Sequence, residues 1–282
     1  MFDLEAYLRR IGHSGPRTPD LDTLRRLCAL HPAAIPYENI SPLLGTPPSI
    51  ALPDVMHKLV AGGRGGYCFE QNLLLWQALE AFGYGVEALA ARVVWMRPAD
   101  APRRPRTHML LKVEVREGEH AGTYVADAGF GGNVMDAPLK LEADTPQRTP
   151  HALLRYTREG DHYTAETHLP AGWAPMYRFT LTPHAPADYE PLNWYTATHP
   201  TSMFRHNLLM ERVTPGRRCS LLNDRLVLRE PRLPPAMRRL ATSPDFASVL
   251  LEHFGITLAP DETRELWARI PKGLDQFVTP GA

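Results

Sequence analysis

The tract Arg64-Gly65-Gly66-Tyr67-Cys68-Phe69-Glu70-Gln71-Asn72 joins a Gly-Gly pair to an apolar run, with a cysteine at the junction. Leu73, Leu74, Leu75, Trp76 and Leu79 continue that run as a helix, and Gly83 suits its C-terminal cap. Cys68 is therefore expected at a helix N-terminus, where partial positive charge and unpaired N–H groups favour a thiolate. The thiolate, not the thiol, is the nucleophile. Taken alone, a cysteine at such a position is more often a small buried apolar residue. The case for chemistry rests on partners elsewhere in the chain.

The pattern before this tract is helical. Leu4, Tyr7, Leu8 and Ile11 follow helical spacing, so residues 1–11 read as an amphipathic helix rather than a signal peptide. A second helix is expected with Thr18 as cap and Pro19 at its first position, with Leu21, Leu24, Leu27 and Cys28 as inner face, ended by Pro32. Beyond Gly83 the period changes. Strands are predicted over 86–96, 107–115, 123–127 and 176–181, with a hairpin over 155–167 around Glu159-Gly160-Asp161. Such spacing suits an antiparallel sheet or small barrel. After Tyr189, paired strands are expected over 207–213 and 217–229, then helices from Ser243-Pro244 to a Gly255 cap and over 261–270. The expected fold class is α+β. Its segments are an N-terminal helical bundle (1–85), a central antiparallel β-barrel-like domain (86–189) and a C-terminal α/β lid (190–282).

Bulk properties narrow the function classes. The 282 residues are 44% hydrophobic, enough for a sizeable core, and 31 basic residues balance 31 acidic ones. No global field draws the chain to nucleic acid or to an acidic membrane. No apolar run of about 18 residues suggests a membrane span. Cys28, Cys68 and Cys219 are too few and scattered for a disulfide framework or a zinc site, so no metal is expected. Reduced thiols point to a cytoplasmic setting.

A nucleophilic cysteine needs a base, and the base needs an orienting group. His108 and Asp127 fall on consecutive predicted strands. Residues directly opposite in an antiparallel pair have a constant position sum. A sum of 235 faces these two across a turn at Glu117-Gly118; a sum of 237 leaves them diagonal on the same face. An even sum without a bulge separates them onto opposite faces.

With these residues named, a resemblance becomes specific. The tract 64–72, Thr107-His108-Met109 and Asp127-Ala128-Gly129-Phe130-Gly131 resemble the three signature blocks of the arylamine N-acetyltransferase family. His31 with Ile35-Pro36-Tyr37-Glu38-Asn39 resembles its upstream block, and Ser202-Met203-Phe204 followed by Asn207 its downstream block. The resemblance implies an acyltransferase of xenobiotic metabolism with a papain- and transglutaminase-like Cys-His-Asp core. Cys68 would accept an acetyl group from acetyl-CoA, with His108 as base and Asp127 holding the imidazole. An arylamine, arylhydrazine or arylhydroxylamine would then take the acetyl group, in ping-pong order. Phe130 and Phe204, with Tyr37 where many relatives have Phe, would line the acceptor pocket. Gly129, Gly131 and Thr107 would face CoA.

Two expectations belong to this chain's own residues. Glu38 and Arg64 flank the cysteine block with opposite charge and should pair. The loop 97–106 carries three prolines and four arginines. A solvated surface loop is its simpler reading; contact of Arg103, Arg104 and Arg106 with CoA phosphates is the sharper one. Rival functions for the same constellation are a macrolactam-forming amide synthase of the same family and a Cys-His-Asp hydrolase or transglutaminase.

Overall fold

The computed structural model describes residues 2–98, 100–116 and 118–277. Helix α1 (Leu4–Ile11) is capped by Asp3, whose Oδ1 accepts from Ala6 N–H at 2.9 Å, and it buries Tyr7, Leu8 and Ile11. Met1, part of the expected helix, lies outside the described residues. Helix α2 (Leu21–Ala34) starts later than Thr18-Pro19 predicts. Asp20 is its cap: Oδ1 accepts from Thr23 N–H at 2.8 Å, and Thr18 Oγ1 donates to Oδ2 at 2.5 Å. A carboxylate there meets the helix dipole as well as the free N–H, which a hydroxyl does not. The helix also runs past Pro32 to Ala34.

Strand β1 (Tyr37–Glu38) and the short helices α3 (Ile40–Leu43) and α4 (Leu52–Val55) follow, and α4 continues as a π-helical turn, Met56–Ala61. Helix α5 (Cys68–Ala81) begins at Cys68 as predicted, and Gly83 takes φ +92° just beyond its end. An antiparallel sheet comes next: β2 (Gly85–Val93), β3 (His108–Val115), β4 (Gly122–Ala126), β5 (Leu139–Lys140), β6 (Gln147–Arg148), β7 (Leu153–Glu159), β8 (His162–Leu169) and β9 (Gly172–Phe179). Their spatial order is β5-β4-β3-β2-β9-β8-β7-β6. The two ends almost meet. Lys140 N–H donates to Gln147 Oε1 and Gln147 Nε2 to Lys140 O, each at 2.8 Å, and Asp144 N–H donates to Tyr156 O at 2.6 Å. The sheet is thus a nearly closed barrel.

Helix α6 (Pro186–Thr198) was not anticipated. It contains Pro191, and its buried positions Tyr189, Asn193, Thr196 and Ala197 give no clean apolar stripe. Strands β10 (Leu209–Thr214), β11 (Arg217–Leu222), β12 (Arg225–Arg229) and β13 (Ala236–Arg239) form a second sheet in the order β1-β10-β11-β12-β13, so β1 crosses over from the N-terminal region. Helices α7 (Ser243–Phe254) and α8 (Pro260–Arg269) cover it; Gly255 caps α7 at φ +69°.

Side-chain alternation on β2 and β3 decides which core each residue joins. Met109, Leu111, Val113 and Val115 pack with the helical core around α1, α2 and α5. Leu110 joins Leu89, Ala91, Val125, Tyr156, Tyr177 and Phe179 inside the barrel. His108 shares the parity of Leu110 and meets Tyr177 and Phe130 there.

A polar chain anchors α2 to α5 through this core. Tyr7 OH donates to His31 Nδ1 at 2.9 Å, and His31 Nε2 donates to Gln71 Oε1 at 2.7 Å. Burial lowers the His31 pKa from 6.5 to about 4, although the Gln71 bond opposes the shift. The unfolded chain therefore takes up a proton between about pH 6.5 and 4 that the folded protein refuses. Stability should fall across that window as pH drops, by about 2 kcal/mol between pH 7 and 5. Urea unfolding should show this loss in the native sequence and a flatter profile in His31→Gln; equal pH slopes would contradict it.

Candidate active site

Cys68 is the first residue of α5 and is 3% exposed. Its sulfur donates to Thr107 O at 3.5 Å. Burial pushes the thiol pKa up, although the Met109 and Phe69 N–H groups facing the sulfur favour the thiolate. Burial thus opposes what the helix terminus favours. A helix end supplies about 0.3–1 kcal/mol, well under the cost of removing an anion from water.

His108 opens β3, and Asp127 follows the last residue of β4. The strands pair with Leu111 opposite Ala126 and Lys112 opposite Val125, a sum of 237. Of the two same-face registers, the diagonal one is adopted and the directly opposed one is not. The expected turn is displaced accordingly; Glu117 lies outside the described residues, and Gly118 takes φ +88°. Diagonal placement still lets His108 Nε2 meet Asp127 Oδ2 at 2.7 Å, with both residues 2% exposed. Burial by itself would raise the Asp127 carboxyl. The neighbouring His108, the Asn72 amide and the Gly129 N–H outweigh it and hold the pKa below its ordinary value.

The turn after Asp127 passes close to the nucleophile. A Cβ added to Gly129 would lie 2.6 Å from Cys68 Cα, and one added to Gly131 would collide with the Tyr37 ring. These glycines are required by close approach rather than by flexibility. The loop is also held from the far side. Glu211 Oε2 accepts from Val134 N–H at 3.0 Å, and Arg218, paired with Glu211 at 2.9 Å, donates to Val134 O at 2.9 Å.

Cys68, His108 and Thr107 line a cavity of about 260 Å³ together with Tyr37, Phe130, Phe204, Gly129 and Gly131. The structure thus gathers these sequence-predicted residues at one place, with Asp127 behind His108. Phe130 meets the His108 ring edge-on at 5.2 Å. Phe204 lies on a 3-10 turn, Met203–Arg205, and meets the edge of Tyr67 at 6.0 Å. Asn39 positions this turn: its Nδ2 donates to Phe204 O at 3.0 Å and Asn207 O at 2.8 Å.

The comparisons agree with this geometry. A family model described as N-acetyltransferase matches residues 20–263. An arylamine N-acetyltransferase of Mycolicibacterium smegmatis is 39% identical over 274 residues, which cover 97% of this chain and 98% of that one. The chain belongs to the arylamine N-acetyltransferase family. A solved arylamine N-acetyltransferase of M. smegmatis matches with a TM-score of 0.90 at 39% identity, covering 98% of this chain and all of that one. A Mycobacterium marinum arylamine N-acetyltransferase solved in complex with CoA matches at 0.88 and 35% identity, covering 95% and 98%. The protein is therefore an acyltransferase.

Three polar residues of this acetyltransferase stand in the cysteine block without an assigned role from sequence, and all three are fully buried. Glu70 Oε2 accepts from Tyr67 N–H at 3.1 Å, and Oε1 takes Lys58 at 2.7 Å. Gln71 Nε2 donates to Pro36 O at 2.7 Å and Gly66 O at 3.1 Å. Asn72 Nδ2 donates to Met109 O at 2.6 Å and Asp127 Oδ1 at 3.0 Å, while its Oδ1 accepts from Ala128 N–H at 2.9 Å. The signal available in sequence was three consecutive polar residues on a helix otherwise buried. The expected Glu38–Arg64 pair is present at 3.0 Å, with Lys58 4.0 Å from the same carboxylate. Asn72→Ala should leave Asp127 Oδ1 and Met109 O short of donors and loosen the His108–Asp127 geometry. Acetyl transfer is expected to slow about a hundredfold, read as kcat at saturating substrates, with the fold retained by circular dichroism. An unchanged kcat would contradict the positioning role.

Proposed function

We propose that the protein transfers an acetyl group from acetyl-CoA to an arylamine, arylhydrazine or arylhydroxylamine by a ping-pong reaction through a Cys68 thioester. The single observation that carries this reading is the shared cavity of Cys68 and His108 with Asp127 bound behind the imidazole at 2.7 Å. Asp127 occupies His108 Nε2, which leaves Nδ1 to take the thiol proton. The sulfur then attacks the thioester carbonyl, and backbone N–H groups at the start of α5 are available to the tetrahedral oxyanion. CoA leaves as a thiol. A thioester donor and a cysteine thioester are close in energy, so transfer between them needs no large driving force. A weakly basic aromatic amine is uncharged at neutral pH and attacks the acetylated cysteine directly. Phe130 and Phe204 supply aromatic walls for its flat ring, and Tyr37 adds a third beside Gly131.

Gly129, Gly131 and Thr107 belong to the donor side of this proposal. The two glycines leave the turn free of side chains, and the Thr107 carbonyl holds the resting thiol. The division into 1–85, 86–189 and 190–282 is part of the same reading; of the three core clusters, one lies wholly within the second segment and another draws residues from all three. Strand β1 and helix α3 come from the first segment and pack with the third, and the boundary at 189/190 lies within α6. We also place the reaction in the cytoplasm, within xenobiotic metabolism. The free Cys28, Cys68 and Cys219 suit a reducing compartment, and no helix among the described residues is long and apolar enough to cross a membrane. No observation favours the hydrolase or macrolactam-forming alternatives.

Initial rates with acetyl-CoA and an arylamine varied together should give parallel double-reciprocal lines. Intersecting lines would show that both substrates must be bound at once and would contradict the covalent route.

A further inference from the structure

Tyr37 is 3% exposed and lines the cavity of Cys68 and His108. Its position is fixed from several sides. The backbone pairs with Glu211 on β10 and bridges to Gly66, two residues before Cys68. The ring lies against the turn that follows Asp127: a Cβ added to Gly131 would come within 2.5 Å of Cζ, the carbon that bears the hydroxyl. Gly129, on the same turn, approaches Cys68 as closely, with an added Cβ 2.6 Å from Cys68 Cα. The hydroxyl therefore stands toward the sulfur end of the cavity. Among the described residues, none pairs with it, and it is not one of the polar atoms sealed in the core. Two other hydroxyls of the cavity are already committed: Ser202 donates to Thr196 O, and Thr196 to Leu192 O at 2.7 Å. Burial, with Cys68 and Glu211 nearby, pushes the Tyr37 pKa well above its ordinary value, so the phenol keeps its proton and remains a donor.

We propose that the Tyr37 hydroxyl selects acceptors that carry an oxygen on the nitrogen to be acylated, favouring arylhydroxylamines over plain arylamines. The proposal rests on the acetyl-transfer reading above and narrows its acceptor. In the discharge step the acceptor nitrogen bonds the acetyl carbon, the carbon–sulfur bond to Cys68 breaks, and the nitrogen's proton passes through His108 to the thiolate. That attack consumes the nitrogen lone pair. A plain arylamine can give an N–H to the phenol oxygen but has nothing left to accept the phenol proton. An arylhydroxylamine brings further lone pairs on its oxygen, one bond from the reacting nitrogen. Seating an aromatic ring displaces the water that otherwise serves the hydroxyl, so an acceptor without that oxygen leaves a buried donor unpaired. A site with such a donor discriminates more sharply than an apolar pocket, where one extra group changes little. Because the ring and backbone of Tyr37 are pinned, no rearrangement relieves the mismatch.

The test forms acetyl-Cys68 with acetyl-CoA, removes CoA, and follows loss of the acetyl mass after adding phenylhydroxylamine or aniline. In the unsubstituted protein, the ratio of the two discharge rates should exceed by about tenfold the ratio for the same acceptors attacking a simple acetyl thioester in solution. In Tyr37→Phe the ratio should fall back about tenfold, toward the solution value. Equal ratios in the two proteins, with both acceptors slowed alike, would mark the hydroxyl as merely structural and overturn the assignment. A ratio in the unsubstituted protein no higher than in solution would overturn it too, whatever the variant does. Either result, obtained on acetylated Cys68, leaves the acetyl-transfer reading standing. Failure of acetyl-CoA to acetylate Cys68 would overturn that reading itself, and this selection with it.

Discussion

One buried amide ties the helix that carries Cys68 to the barrel that carries His108 and Asp127. Asn72 lies one turn into α5 and bonds Met109 on β3, Asp127 and Ala128 after β4. Each bond crosses from one layer of the fold to another. Glu70 and Gln71 fix the same helix end to Lys58 and to the backbone of residues 36 and 66. A buried amide left without partners costs about 1–3 kcal/mol for each unpaired group, so these three residues hold the layers in one arrangement rather than several.

That arrangement sets the electrostatics of the site. Burial works against ionisation of Cys68, so the site needs a base nearby. Asp127 is held as a carboxylate by His108, Asn72 and Gly129 despite its burial, and it can balance the imidazolium that forms when His108 takes the thiol proton.

Much of this was legible where side-chain periodicity is strict. The face of α1, and the alternation of β3 that sends Met109 outward and His108 inward, follow directly from spacing. Local chemistry without periodicity was less readable. Asp20 displaces Thr18 as cap because a carboxylate serves both the free N–H and the dipole. The β3–β4 register was open because sums of 235 and 237 both leave His108 and Asp127 on one face, so strand pattern does not choose between them. α6 is hidden by Pro191 and by buried polar positions, and two-residue strands such as β1 form only when a distant partner is present. At the site, sequence named the residues that meet around the cavity. It did not disclose the jobs of Glu70, Gln71 and Asn72, because those depend on partners that the fold brings together, such as Lys58, Pro36 and Ala128.

The central claim is a covalent acetyl group on one sulfur. Incubating the protein with acetyl-CoA in the absence of any amine, then digesting it and sequencing the peptides by mass spectrometry, examines that claim directly. A single acetyl group on Cys68, removed when an arylamine is added and absent in Cys68→Ser, is the predicted result. An unmodified Cys68, or acetylation that an arylamine cannot discharge, would contradict it.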